Sequence, residues 1–202
     1  MEFVNAARMR IAVVAMLLLA SPAFAADGNA VHGRQLAYTC LGCHGIENYK
    51  NAYPKYSVPK LGGQSAAYIA AALAEYQAGA RPHPTMRGQA TALSAQDCAD
   101  LAAFFQGPQQ IGPGARRAGT LPTAAAACVA CHGQDGIGTL PANPTLAGQH
   151  ADYLAQALND YRLGRRRNPI MSTFAAPLTR DDIEAIADYF SKQPGLVTPK
   201  HD

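Results

Sequence analysis

The same five-residue pattern, Cys-X-X-Cys-His, occurs twice in the sequence, at 40–44 and at 128–132. Two cysteines at this spacing lie on one helical turn, where each thiol can form a thioether bond with a haem vinyl group. The histidine that follows can give an imidazole nitrogen to the iron. The pattern therefore predicts two covalently bound haem c groups, held by Cys40, Cys43, Cys128 and Cys131, with His44 and His132 as axial iron ligands.

Three other kinds of site can contain a Cys-X-X-Cys pair: a dithiol redox motif, a zinc site and a disulfide framework. A thioredoxin-like motif would need an alternating strand and helix pattern around it. A zinc site would need a second close Cys or His pair in each half of the chain. Neither pattern occurs in the sequence, which favours haem.

A longer repeat surrounds the two pentapeptides. Residues 59–64 read Pro-Lys-Leu-Gly-Gly-Gln and residues 144–149 read Pro-Thr-Leu-Ala-Gly-Gln, at an offset of 85. Four further pairs keep this offset: Tyr68 and Tyr153, Tyr76 and Tyr161, Met86 and Met171, and Phe105 and Phe190. Because the pentapeptides are offset by 88, the first half has three extra residues, which lie in the loop Ile46 to Val58. The chain is one unit, duplicated.

Helical periodicity dominates each unit. We expect a helix leading into each pentapeptide, a second over 64–78 and 149–163, and a third over 94–106 and 179–192, with N-terminal caps at Ser94 and Thr179. A unit of about 80 residues has a marginal core, which a buried haem would complete. The predicted fold is all-α, with a first domain over 27–107, a Gly/Pro linker over 108–117 and a second domain over 118–195.

The first 25 residues have the pattern of a secretory signal. Arg8 and Arg10 precede an apolar run from 11 to 20, and residues 23–25 have the small-X-small form found before a cleavage site. An uncleaved membrane anchor would need roughly twice this apolar length. We therefore expect a signal peptide over 1–25 and a location in the periplasm, where bacteria can attach haem to exported thiols.

Methionine is the expected sixth ligand of each iron. Once the signal is removed, Met86 and Met171 are the remaining methionines, and they occupy equivalent positions of the repeat. Both lie in segments marked by proline, which we expect to be irregular and able to hold a side chain across the haem from the histidine. A methionine is more often core filler, but the paired placement favours ligation. His83 and His150 have no counterpart in the other repeat and are interpreted as surface residues or neighbours of the site.

An iron with histidine and methionine on its two axial positions has no free position for oxygen or a substrate. Its chemistry is outer-sphere electron transfer, for which the chain needs no catalytic residue. The net charge of +3 and a single basic run do not indicate a nucleic-acid-binding protein. That run, Arg162, Arg165, Arg166 and Arg167, fits the steering of an acidic partner, a solvated surface or a contact with haem propionates.

These motifs together resemble the dihaem cytochrome c4 family, built from two class I cytochrome c domains. The resemblance covers about residues 27 to 195. It implies a periplasmic carrier, often membrane-associated, that takes electrons from a quinol-oxidising complex or a dehydrogenase and delivers them toward a haem-copper oxidase of a respiratory chain. It also implies that the carbonyls of Pro59 and Pro144 accept the proton of the axial histidines. The loop Ile46 to Val58 departs from the family pattern, because it is longer than the usual turn.

Two alternatives to a free carrier stay open. Some dihaem relatives are electron-accepting subunits of periplasmic dehydrogenases, and the sequence does not separate this role from that of a carrier. Others are sulfur-oxidising enzymes in which a cysteine replaces the axial methionine at one iron. Cys98 is the odd cysteine of the chain, and we interpret it as a buried core residue of the third helix.

Overall fold

The structure is a computed structural model that describes residues 27–107 and 118–200. The predicted signal peptide, residues 1–25, and the predicted linker, residues 108–117, lie outside the described residues and stay predictions. Each of the two described segments is helical, and the two follow the same order of elements.

The first segment consists of helices joined by short loops. They are α1 (Ala30–Leu36), α2 (Tyr38–His44), α3 (Ala66–Gln77), α4 (Pro84–Thr91) and α5 (Ala95–Gln106). In the second segment a 3₁₀ helix (Thr123–Cys128) leads into α6 (Val129–His132), α7 (Ala151–Arg162), α8 (Pro169–Ala175) and α9 (Arg180–Ser191). Among the described residues, β pairing is limited to two isolated bridges. The predicted all-α duplication is confirmed.

None of the helices within the described ranges is long and apolar enough to cross a lipid bilayer.

Matching caps begin the last helix of each domain. The Ser94 hydroxyl accepts from the Asp97 amide at 3.1 Å, and the Asp97 carboxylate accepts from the Ser94 amide at 2.9 Å. Thr179 and Asp182 make the same two hydrogen bonds, at 3.2 and 2.9 Å. Such a capping box satisfies two amides that a helix start leaves without partners. The predicted caps are confirmed.

The segments that carry the two methionines are helical, so the expectation of irregular structure there is wrong. A proline occupies the first turn of α4 and of α8, where the missing N–H costs no helical hydrogen bond. The residue before each proline caps the helix. His83 Nδ1 accepts from the Met86 amide at 3.3 Å, and Asn168 Oδ1 accepts from the Met171 amide at 3.1 Å. Two chemically different side chains thus hold the methionines in the same local geometry.

Each domain has its own apolar core. In the first domain α5 packs against α1 and α3, and in the second α9 packs against α7. Gly33 of α1 lies so close to α5 that a Cβ there would overlap the backbone of Asp100. Phe105 of α5 and Phe190 of α9, which are repeat equivalents, are 4% and 0% exposed. The repeat therefore places the same aromatic residue at the centre of both cores.

A reciprocal pair of glutamines joins the two domains. Gln64 Nε2 donates to the Thr145 carbonyl at 2.9 Å, and its Oε1 accepts from the Thr145 amide at 3.0 Å. Gln149 makes the same two hydrogen bonds with Lys60, at 3.0 and 2.9 Å. The offset of 85 relates the two glutamines, and it also relates Lys60 to Thr145. The contact is therefore self-complementary, as in a two-fold symmetric dimer.

The end of the second domain extends this contact. The Leu196 amide donates to the Ala147 carbonyl at 2.8 Å, within the second domain. The next residue, Val197, exchanges two backbone hydrogen bonds of 3.0 Å with Gly62 of the first domain. One short stretch of chain thus pairs with the Pro-X-Leu-X-Gly-Gln motif of both domains.

Candidate functional site

A cavity of about 180 Å³, partly open to solvent, lies beside the first pentapeptide. Such a space is far larger than the voids that side-chain packing leaves in a protein interior. Its wall includes the predicted attachment and ligand residues Cys40, Cys43, His44 and Met86. Apolar side chains of the first domain form much of the rest, among them Val58, Leu61, Ile69, Leu73, Leu101 and Phe105, and the second domain adds Leu146, Tyr153 and Leu154. The structure therefore brings His44 and Met86, which are far apart in sequence, to one cavity.

The histidine of each pentapeptide is buried and held by a proline carbonyl. His44 Nδ1 lies 2.8 Å from the Pro59 carbonyl oxygen, and His132 Nδ1 lies 2.9 Å from the Pro144 carbonyl oxygen. A carbonyl can only accept, so Nδ1 carries the proton and Nε2 keeps its lone pair. Burial lowers the pKa of both histidines, against the opposing effect of the proline carbonyls. Both rings are therefore neutral near pH 7, the form that binds a metal.

A glycine with positive φ positions each proline motif against the last helix. Gly63 has φ 85° and donates its amide to the Phe105 carbonyl at 3.0 Å. Gly148 has φ 73° and donates to the Phe190 carbonyl at the same distance. Glycine is favoured here because the left-handed region is strained for other residues. This turn fixes the segment that begins at the proline and hence the orientation of the imidazole.

In the second domain the repeat places the same groups in the same elements. Cys128 ends the 3₁₀ helix, while Cys131 and the buried His132 lie in α6. Met171 lies in the first turn of α8, as Met86 does in α4. Burial raises the pKa of the first thiol of each pair, Cys40 and Cys128.

The loop Ile46 to Val58 contacts the second domain. The Asp152 carboxylate, at the start of α7, accepts from Lys50 Nζ at 3.1 Å and from the Ser57 amide and hydroxyl at 3.1 and 2.9 Å. Tyr56 is buried and its ring centroid lies 6.1 Å from that of Tyr153. Residues of this loop also line the cavity of the first domain. The extra residues of the first half therefore close one site and join the two domains.

The basic run of the second domain does not form one exposed surface. Arg165 pairs with Asp160 at 2.7 Å and is half exposed. Arg167 Nη2 donates to the Gly79 carbonyl of the first domain at 3.1 Å. Arg166 is 7% exposed. The interpretation of the run as one steering surface for an acidic partner is therefore wrong for Arg166.

Sequence reasoning missed Arg81, which lines the cavity and is 5% exposed. It is the repeat equivalent of Arg166, at the offset of 85 that relates the two methionines. That offset was the available signal for it. A buried arginine needs an anionic partner, and Glu75 supplies one to Arg81 Nε at 2.6 Å. A guanidinium has five N–H donors, so Arg81 can also face a second anion in the cavity.

The residues present fit a covalent haem. The cavity supplies two thiols, a neutral imidazole, a thioether and apolar walls, which are the groups that haem attachment and six-coordinate iron require. Its buried arginine matches the carboxylates of a haem. In addition, the Nε of Arg166 is buried with no hydrogen-bond partner among the described residues. A haem carboxylate would supply such a partner.

Comparisons with known proteins agree with this geometry. A family model described as Cytochrome c matches residues 30–107 and 122–193. Cytochrome c4 of Pseudomonas aeruginosa is 36% identical over 180 residues, covering 81% of this chain and 88% of that protein. The thiosulfate dehydrogenase electron acceptor of Stutzerimonas stutzeri is 35% identical over 202 residues, covering 90% and 93%. The crystal structure of reduced cytochrome c4 from Pseudomonas stutzeri superposes with a TM-score of 0.66 at 32% identity, covering 84% of this chain and all of that one.

Proposed function

The chain belongs to the dihaem cytochrome c4 family, and from this premise we propose that it is a periplasmic carrier that passes electrons along a respiratory chain toward a terminal oxidase. Its two cytochrome c domains bind covalent haem c, and the chain is an electron-transfer protein. The observation that carries the proposal is that His44 and Met86 line one cavity, with an equivalent pair in the second domain.

In this proposal each domain uses the same set of residues. Cys40 and Cys43, and Cys128 and Cys131, would attach the haems, and His44 with Met86 and His132 with Met171 would be the protein ligands of the irons. When bound, each haem supplies one-electron iron chemistry. The Pro59 and Pro144 carbonyls hold the imidazole protons at Nδ1, which leaves Nε2 for the iron. The apolar walls would surround much of a bound haem, and two protein ligands would leave no open position on its iron for a substrate.

The visible spectrum and a reoxidation assay test this proposal. We expect two haems per chain and the weak far-red band of methionine sulfur on ferric iron. The reduced protein should be reoxidised by oxygen when membranes of the source organism are added, and cyanide, which blocks haem-copper oxidases, should stop this. A high-spin or thiolate-type spectrum would contradict the ligand assignment. Reoxidation that cyanide does not affect would contradict delivery to such an oxidase.

A second candidate function is that of an electron-accepting subunit of a periplasmic dehydrogenase. It is favoured by the similarity to the thiosulfate dehydrogenase electron acceptor of Stutzerimonas stutzeri, which extends over nearly the whole of both chains. This role predicts that the protein purifies from its native source with a larger dehydrogenase. A free carrier would purify alone. Size-exclusion chromatography of the native extract, followed by haem absorbance, separates the two.

A sulfur-oxidising enzyme with a cysteine-ligated iron is less well supported. It would need an open or thiolate-bound iron, whereas the proposal gives a methionine to each. Cys98 is buried in α5 and is not among the residues that line the described cavity. Cys98→Ser should therefore leave the spectra of both haems unchanged, and a changed spectrum would favour the enzyme.

A further inference from the structure

Two buried arginines meet at the boundary between the domains. Arg81 Nε donates to the Glu75 carboxylate at 2.6 Å, and its guanidinium lies 5.2 Å from the centroid of the Tyr76 ring. Arg166 lies 4.5 Å from the centroid of the Tyr161 ring, the repeat equivalent of Tyr76. Each guanidinium thus faces an aromatic ring of its own domain, which is a favourable cation–π arrangement.

One hydroxyl joins these two arginines. Tyr68 Oη accepts from Arg81 Nη2 at 2.7 Å and from Arg166 Nη2 at 3.0 Å. The first bond lies within the first domain and the second crosses to the other domain. The repeat equivalent, Tyr153, makes no hydrogen bond to either arginine among the described residues. The two-fold relation that governs the glutamine contact is therefore broken at this pair of tyrosines.

The arginine–tyrosine cluster, Arg81, Arg166, Tyr68 and Glu75, carries an excess of buried positive charge. Two guanidiniums face one carboxylate, and Glu75 lies 2.6 Å from Arg81 but 4.0 Å from Arg166. Arg166 also has a buried Nε without a partner in the described part of the chain. Buried cations are costly unless an anion and hydrogen bonds compensate them. Because Arg81 lies on the wall of the cavity proposed to hold a haem, a haem carboxylate would supply the second negative charge that the two guanidiniums need.

We propose that Tyr68 is a positioning residue shared by both haem sites, because its hydroxyl holds the guanidinium of each domain in place to face a haem carboxylate. The inference rests on the proposed placement of a haem in each domain. A charged guanidinium changes the relative stability of ferric and ferrous iron nearby. A change at this single residue of the first domain therefore alters the reduction potentials of both haems.

Tyr68→Phe tests the proposal, with Tyr153→Phe as its matched control. Each substitution removes one hydroxyl and keeps the ring, at equivalent positions of the repeat. The two midpoint potentials are measured by spectroelectrochemical titration of the holoprotein. We expect Tyr68→Phe to shift both potentials and Tyr153→Phe to shift at most one. A Tyr68→Phe protein in which only one potential moves, or neither, would overturn the proposal, as would a Tyr153→Phe protein in which both move equally far.

If Tyr68→Phe loses haem, a second pair of variants tests the role of the cluster. Arg166→Gln removes a positive charge from the cluster, and Arg165→Gln removes one from the adjacent, half-exposed position. The first removes the guanidinium that faces the haem of the second domain in this proposal, so it should lower at least one potential, because a nearby positive charge favours ferrous iron, and the second should leave both in place. An Arg166→Gln protein in which neither potential falls would overturn the proposal. The haem content and the methionine band test the proposed function separately. If these variants keep two haems per chain and the band, the proposed function holds even when the potentials contradict the role of Tyr68.

Discussion

The first domain encloses its site with a loop that reaches the other domain, whereas the second domain uses a shorter turn that packs on itself. In the first, Lys50 and Ser57 bond to Asp152 across the boundary. In the second, the Gln134 carbonyl accepts from the Tyr189 hydroxyl of its own α9 at 2.7 Å. The turn of the second domain thus contacts only its own domain in these hydrogen bonds, whereas the loop of the first domain also contacts the other domain.

The residues that we propose to hold a haem have matching surroundings in the two domains. The His–Pro hydrogen bonds differ by 0.1 Å, at 2.8 and 2.9 Å, and the methionine helices have matching caps. The parts that differ are the loop and the tyrosine pair at the boundary. Substitutions at equivalent positions should therefore have equal effects where the two domains are alike. They should have unequal effects in the loop and at the tyrosine pair.

The largest expected effect is that of removing a methionine that we propose as an iron ligand. Met86→Ala and Met171→Ala should each lower the potential of one haem by a substantial part of the range of roughly 0.8 V that axial ligands span. Each should also halve the far-red methionine band. Spectroelectrochemistry of both variants checks this. A variant that keeps the whole band would show that its methionine is not a ligand.

The next largest effect concerns the equivalent core phenylalanines. Phe190→Ala and Phe105→Ala should each cost about 3–5 kcal/mol of unfolding free energy, because both rings are buried and their loss leaves a cavity. Denaturant unfolding of the holoprotein, followed by circular dichroism, measures the loss. Phe104→Ala, at a partly buried neighbouring position, should cost less. Equal losses for Phe104 and Phe105 would contradict the assignment of Phe105 to the centre of the core.

The reciprocal glutamines should give smaller and equal losses. Gln64→Ala and Gln149→Ala each remove two hydrogen bonds across the domain boundary and one to the amide of the next residue. Because a hydrogen bond contributes about 1 kcal/mol net, each substitution should cost about 2–3 kcal/mol. The same unfolding measurement applies. Gln35→Ala, on the exposed face of α1, is the control and should have almost no effect. A loss of unfolding free energy in only one of the two glutamine variants would show that the two halves of the contact do not contribute equally to stability.

The sequence predicted those features that neighbouring residues determine. Ser94 and Asp97 lie three positions apart, so their capping box can be predicted from a short window. The Met86 segment is helical although its proline predicts irregular structure, because the proline stands in the first turn of α4, where it is compatible with a helix. The bond from Gln64 to Thr145 joins residues 81 positions apart. This bond depends on how the two domains pack together, which local sequence patterns do not specify. The hydrogen bond between Tyr68 and Arg166 depends on that packing as well.

The smallest expected effect belongs to the loop contact of the first domain. Burial opposes the ionisation of Asp152, but hydrogen bonds from Lys50 and Ser57 and the charge of Lys50 outweigh it and lower the pKa. A carboxyl whose pKa is lowered on folding stabilises the protein above its unfolded pKa, and this stabilisation disappears as pH falls through the folded pKa. Because the pair is largely exposed, its contribution is at most about 1 kcal/mol.

Asp152→Asn should therefore destabilise the protein at neutral pH, and the difference from wild type should vanish in acid, below the lowered pKa of Asp152. Asp188→Asn is the matched control, since Asp188 of α9 forms an exposed ion pair with Lys192 of the same domain, just after the end of that helix. Thermal unfolding of the three proteins between neutral and acidic pH gives the comparison. A difference that persists unchanged in acid would show that packing of the loop, rather than the Asp152 charge, joins it to the second domain. In that case the asymmetry between the two domains would depend on Tyr56 and its contact with Tyr153.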